Sequence, residues 1–201
     1  MKTVYLVKKA ISMYSYLIWT PINKISFFLN GVRFGKNLKC RGKVFAIFHS
    51  EKSKLVLGNS VFINSGNTQN PIGCGDRTYF QLFDKGEIVI GNNVGISNAA
   101  FSCYERIEIE KNAFIGAGCK FFDNDFHPIE YQKRVFTNEK PKSAPIMIRE
   151  GAFVGGGTFV LKGVTIGKHS VVGAGSVVTK SIPDDEIWAG NPARFIKKVP
   201  S

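Results

Sequence analysis

Residues 148–183 read IREGAF VGGGTF VLKGVT IGKHSV VGAGSV VTKSIP, six hexads whose first positions are Ile148, Val154, Val160, Ile166, Val172 and Val178. All six are β-branched aliphatics. The fifth positions, Ala152, Thr158, Val164, Ser170, Ser176 and Ile182, are mostly small, and the third and fourth, Ala174 apart, are Gly or polar, as a corner requires. An isolated strand would not repeat in this way; a sustained period of six marks a repeat architecture in which each hexad supplies a short strand and a corner. Three hexads close one triangular coil, and stacking the coils buries the aliphatic column inside a prism.

Working outward, the same register occurs at Ile90 and Ile96 and, after a one-residue slip, at Cys103, Ile109, Ile115 and Phe121, with weaker copies at Phe34, Cys40, Leu57 and Ile63. Between Phe121 and Ile148 the repeat is silent, so residues 123–145 are expected to leave the prism as an excursion loop, the kind of segment on which functional residues gather. Three parts follow: a basic, apolar segment over 1–30, the prism over 31–183 and a tail over 184–201. The expected class is all-β, with a short N-terminal helical segment. The end coils expose unpaired strand edges, and the N-terminal segment and the tail can cover them. A phosphate-cradling reading of Gly155-Gly156-Gly157 fails because Thr158-Phe159-Val160 continues as strand where such a loop needs a helix start. A β-sandwich with glycine turns is the other alternative for the Gly-rich stretches.

The chain has 201 residues, 44% apolar and 21% charged, enough for one ordinary domain. Its net charge of +12 is an N-terminal feature: nine of the 27 cations and none of the 15 acids fall in the first 50 residues, leaving 18 − 15 = +3 for the rest. A nucleic-acid reader usually spreads cations over the face of its fold, so no nucleic-acid partner is expected; a basic, aromatic-rich leader suggests peripheral contact with an anionic membrane, the alternative being a packing segment. The uncharged stretch AISMYSYLIWTPIN, residues 10–23, is interrupted by Pro21 and falls short of the ~20 residues that span a bilayer. Tyr14, Tyr16 and Trp19 and the lack of a cleavage site speak against a signal peptide, so a cytoplasmic protein, peripheral at the inner face of the membrane, is expected. The cysteines at 40, 74, 103 and 119 form no CxxC pair and are read as reduced, buried thiols.

The stretch Ile166–Pro183, followed by Ala189-Gly-Asn-Pro-Ala-Arg194, and the motif Asp123-Asn-Asp-Phe-His127-Pro128 together resemble the hexapeptide-repeat acyltransferases, whose sugar O-acetyltransferases modify saccharides from acetyl-CoA. The likeness covers residues 55–199. It implies a left-handed parallel β-helix, since periodicity alone does not show hand and generic crossovers are right-handed. It also implies a homotrimer, with donor and saccharide acceptor held in the groove between neighbouring prisms.

Moving an acetyl group from a thioester to a hydroxyl requires a base with a pKa near neutrality, which histidine supplies. His127 lies in the excursion loop and is followed by a rigid proline; Asp123 or Asp125 can set its tautomer. His169 falls at a corner position and His49 offers no better setting, so neither is given a role. Three histidines without a close pair argue against a zinc hydratase of the same fold, and the Asp-x-Asp lacks the glycine and distal glutamate of a calcium loop, so no metal is expected. No cysteine adjoins a histidine, and direct transfer without an acyl-enzyme is the implied route. The resemblance further implies Gly156 as an oxyanion donor, Ala174 along the pantetheine, Thr179 and Lys180 near the donor, and Arg194 and Lys197 near its phosphates, with Lys197 a departure from arginine. Trp188 either stacks on adenine or covers the last coil. Asn98 is assigned to the acceptor sugar, and Tyr79, Phe80, Phe83 and Tyr104 either pack on that sugar or belong to the core.

The leading functional expectation is therefore an acetyl-CoA-dependent O-acetyltransferase of surface polysaccharide biosynthesis. An N-acetyltransferase on a nucleotide-linked amino sugar and a non-catalytic solenoid scaffold are the alternatives.

Overall fold

The computed structural model describes residues 2–66 and 76–200, with side chains from residue 14 onward; Cys74 lies outside the described residues. Three parallel sheets run along the molecule, and the chain visits them in turn. The first face stacks Arg33–Phe34, Lys54–Leu57, Glu87–Ile90, Arg106–Ile109, Ile146–Ile148 and Thr165–Ile166. The second stacks Lys39–Arg41, Phe62–Asn64, Gly95–Ser97, Phe114–Ile115, Phe153–Val154 and Val171–Val172, and the third Phe45–Phe48, Tyr79–Leu82, Ala100–Cys103, Lys120–Phe122, Phe159–Leu161 and Val177–Val178. This is the left-handed parallel β-helix, and the weaker repeats at Phe34, Cys40, Leu57 and Ile63 are full members of it: Phe34 pairs with Leu57 and Leu57 with Ile90, while Cys40 pairs with Ile63 and Ile63 with Ile96.

The hexad works because its fifth and following first positions are two residues apart and so point to the same side of the strand. Val164 and Ile166, Ser170 and Val172, and Ser176 and Val178 are all buried, and the ladder Ile90, Ile109, Ile148 and Ile166 forms one column of the core. Each such aliphatic side chain contributes about 1.5–3 kcal/mol on burial, and β-branching leaves it little rotamer freedom to lose. The fifth-position hydroxyls are buried with partners: Ser176 Oγ donates to Gly173 O at 2.6 Å and Thr158 Oγ1 to Gly155 O at 2.7 Å, each tying a corner to the strand that follows.

On the third face the inward position is Phe101, where the repeat had suggested Cys103. Phe101 pairs with Phe80 and Phe121, and the three buried rings stack with centroids 5.0 and 4.8 Å apart. Cys103, also buried, extends that strand against Leu82. A continuous ring column fills the face better than a thiol in its middle, and this overrides the strict six-residue count.

Both ends are covered. The N-terminal helix α1, Lys2–Leu29, is longer than the uncharged stretch and continues through Pro21, which sits on its exposed side where water can take up the carbonyl left unpaired. It ends at Gly31 (φ 70°), with Gly31 N donating to Phe28 O and Val32 N to Phe27 O, a closure that needs the left-handed region. Asn23 fastens it to the first coil by donating to Gly42 O at 2.9 Å and accepting from Val44 N at 2.9 Å. At the other end Glu186–Gly190 pairs in parallel with Val171–Val172 and turns back into Ala193–Lys198, so the tail is a hairpin added to the second sheet.

Candidate functional site

Two corners carry the predicted residues. Along the corner between the second and third faces, Gly118 N donates to Asn98 O at 3.0 Å, Gly157 N to Ala117 O at 2.8 Å and Gly175 N to Gly156 O at 2.9 Å. Asn98, Gly156 and Ala174 therefore stand in one column, with Ala117 between Asn98 and Gly156. Arg194, paired with Ala189 in the terminal hairpin, continues it: the preceding Gly190 N donates to Ser176 Oγ at 3.1 Å. Lys197 stands opposite Ile187, at the far end of the same hairpin, away from the column. Trp188 is half-buried against the core with Nε1 donating to Glu186 at 2.7 Å, so it covers the last coil.

The column is tightly built. A Cβ at Gly155 would lie 2.6 Å from both Ala174 N and Val172 O, and one at Gly156 would lie 3.0 Å from Ala117 O. The Gly156 carbonyl is used by the next coil, while its N–H donates to no group among the described residues. Beside it on the second face lies a cleft of about 600 Å³ lined by Phe62, Gly95, Phe114, Phe153, Gly116 and Gly156. Gly95 opens it: where neighbouring coils present phenylalanines, this one presents none, and a Cβ there would meet the Phe114 ring at 3.1 Å. Sequence reading missed this cleft, although its signal, outward aromatics just before inward aliphatics with one glycine among them, was present.

At the corner from the third face back to the first, the chain leaves the prism. Asp123 is fully buried and accepts four hydrogen bonds, from Tyr104 N (2.8 Å) and Asn124 Nδ2 (3.1 Å) on Oδ1 and from Glu105 N (2.8 Å) and Arg106 N (3.0 Å) on Oδ2. It anchors the preceding corner. Asn124, which sequence reading passed over, clamps the loop by donating to Ser102 and accepting from Phe126 N at 2.9 Å. Asp125 ion-pairs with Lys162 of the next coil through Oδ1, while its buried Oδ2 has no partner among the described residues. His127 N donates to Asp125 O at 2.7 Å, and the exposed His127 ring makes no hydrogen bond to Asp123 or Asp125. Phe126, at φ 60°, lays its ring edge-on to Phe122 with centroids 5.0 Å apart, so the loop folds back over the third face. Asn124 bridges Ser143 to close the loop stem, beyond which the short helix α2, Tyr131–Phe136, is wholly exposed.

Thr179 and Lys180 are exposed at this second corner in the last coil, below Lys162 and away from the Gly156 column. One chain thus holds the predicted residues in two groups, at opposite edges of the third face. The remaining candidates divide too. Phe80 is core, Phe83 stacks between His49 and Tyr104 at 4.3 and 4.5 Å, and Tyr79 stacks on Phe45. His169 pairs with Asp185. Burial pushes the Cys40 thiol up to about 12 and that of Cys119 up to about 11, and raises Cys103, with the charge of Asp123 adding to burial there.

The family described as bacterial transferase hexapeptide (six repeats) matches residues 145–180, the stretch that forms the last coils. Residues 145–180 thus carry that family's hexapeptide repeat. A Staphylococcus aureus (strain COL) protein named as a candidate acetyltransferase is 41% identical over 129 residues, 54% of this chain and 63% of that one. The match to a Saccharomyces cerevisiae protein with a name of the same kind spans 46% of that relative, so the chain spans roughly half of the curated relatives' length. Among solved structures, AntD, a Bacillus cereus N-acyltransferase in complex with dTDP and 3-hydroxybutyryl-CoA, superposes with a TM-score of 0.67 at 22% identity, covering 88% of each chain. A Vibrio cholerae hexapeptide-repeat acetyltransferase with acetyl coenzyme A bound gives 0.60 at 19% identity, covering 96% of this chain and 86% of that one. A maltose O-acetyltransferase of Clostridium difficile gives 0.55 at 22%, covering 97% and 86%. At these identities the likeness establishes the hexapeptide-repeat fold.

Proposed function

We propose that this hexapeptide-repeat protein is an acetyl-CoA-dependent acetyltransferase acting on a saccharide hydroxyl, with His127 as general base. The observation that carries the reading is the division of the site residues between two edges of one prism. The Gly156 column offers an unengaged N–H at a corner built of small residues, suited to a thioester and to the oxyanion formed from it. The His127 loop stands at the other edge, and a homotrimer that sets one chain's loop against a neighbour's Gly156 column completes the site. There the His127 imidazole takes the proton of the acceptor hydroxyl as its oxygen attacks the thioester carbonyl; Gly156 N–H stabilises the oxyanion, and on collapse the C–S bond breaks and the imidazolium returns the proton to the departing thiolate, releasing coenzyme A and the acetyl ester. Asp125, whose buried Oδ2 is uncommitted, is the carboxylate suited to orient the imidazole; Asp123 is occupied by the backbone. Arg194 and Lys180 are exposed cations at the end of the prism from which donor phosphates are held. Asn98, two coils from Gly156 in the same column, is buried with Oδ1 accepting from Gly66 N at 2.8 Å, so in this reading it shapes the column beneath the acceptor rather than touching the sugar. The cytoplasm, where acetyl-CoA is made, and a surface polysaccharide precursor as acceptor complete the reading.

The test is thiol release from acetyl-CoA by the full chain with sugar hydroxyl and amino-sugar acceptors offered separately. His127→Ala is expected to lower turnover on the hydroxyl by about 10²–10⁴-fold while light scattering still reports a trimer. Turnover within a few-fold of wild type removes His127 as base. The likeness to AntD favours one second reading, transfer to an amino sugar, and preference for the amine acceptor selects it.

A further inference from the structure

The helix α1 packs one face on the prism and leaves a second, apolar face uncovered. Toward the first coil it buries Asn23 and Phe27. On the opposite side Tyr14, Leu17, Ile18, Ile22, Ile25, Phe28 and Leu29 are exposed by 57, 67, 56, 45, 62, 76 and 76%. At roughly 100° per residue these seven, with Pro21 among them, fall within an arc of about 140° that, over residues 14–29, contains no charged side chain. Exposed aliphatics scattered singly need no explanation, but a continuous stripe four turns long does.

Charge says what covers it. The coil beneath the helix carries Arg33, Lys36, Lys39 and Lys43, all exposed, and Lys24 borders the stripe; Glu51 is the one acid in the first 54 residues of the sequence. The Arg41 guanidinium lies 4.2 Å over the Tyr16 ring and is engaged by the helix. A second copy of this end would bring one basic collar against another, which repels. An anionic bilayer surface accepts the stripe and neutralises the collar together. No helix among the described residues is long and apolar enough to cross a membrane, so the helix lies in the interface. We infer that α1 docks the protein on anionic lipid, its exposed stripe among the upper acyl chains and the cations of the first coil at the headgroups. This surface is at the end of the prism, on residues the proposed transfer reaction does not use, and it stands or falls independently of that reaction.

The experiment is sedimentation of the full chain with vesicles of phosphatidylcholine alone or with phosphatidylglycerol added. Binding is expected with phosphatidylglycerol and to weaken in high salt. Ile18→Glu with Ile25→Glu, both at exposed positions, is expected to reduce partitioning by about tenfold or more, and Lys36→Glu with Lys39→Glu by roughly fivefold per cation, with circular dichroism and acetyl-CoA turnover unchanged. Equal binding to both vesicle types or to neither overturns the inference. So does a lipid-free association, seen by light scattering, that the Ile18/Ile25 variant abolishes without vesicle binding having been present, since the stripe would then be an interface between copies.

Discussion

Replacing Asp123 by Asn separates the structural from the catalytic reading of the aspartate nearest the loop root. Each carboxylate oxygen accepts two donors, Tyr104 N and Asn124 Nδ2 on one and Glu105 N and Arg106 N on the other. Asparagine keeps the volume, yet whichever way its amide is turned an NH2 faces two N–H groups. Two charge-assisted hydrogen bonds, worth about 1.5–3 kcal/mol each, are lost and their donors stay buried, so a cost of about 3–5 kcal/mol is expected. That is a large part of an ordinary domain's stability. In a solenoid each coil contacts only its neighbours, so the damage should concentrate at this corner. The assay is urea unfolding, with hydrogen exchange read at the Tyr104, Glu105 and Arg106 amides. A lowered urea midpoint and faster exchange at those amides are expected, while turnover by the folded fraction keeps the wild-type pH profile. A variant within about 0.5 kcal/mol of wild type whose transfer pH profile has moved would refute the argument and restore Asp123 as the residue that orients His127.

Phe101→Ala opens the middle of the stacked ring column and should cost about 3–5 kcal/mol by urea denaturation, against under ~0.5 for the exposed Tyr131→Ala. Burial pushes the Glu110 carboxyl up, but Arg149 and the Glu150 amide outweigh this and hold it below its usual value of 4.5. A depressed carboxyl contributes stability that is present above the unfolded value and lost as pH falls through the folded one; wild type should therefore lose more stability than Arg149→Met between about pH 5 and 3. With thiols pushed up by burial, Cys40, Cys103 and Cys119 should react with a disulfide reagent at pH 8 only after unfolding, and rapid labelling of the native chain at any of them would contradict the packing.

The sequence by itself determined the prism. A side chain's inward or outward direction in a short strand depends on position alone, so an aliphatic every sixth residue and a small residue two before it specify the column, and the break in that rhythm marks the loop. The slip at Phe101 was hidden because local spacing does not report which side chains stack between coils. The site was legible as a set of residues and not as an arrangement. Asp123 and Asp125 look alike in sequence; only the fold aims three backbone amides at the first and leaves an oxygen of the second uncommitted. Nor does spacing along the chain reveal that Asn98, Gly156 and Ala174 share one edge while His127 stands at another, because contact between coils joins residues 16 to 40 positions apart. The outward stripe of α1 was equally out of reach, since which face of a helix with apolar residues on several sides meets the coil depends on where Asn23 and Phe27 find their partners.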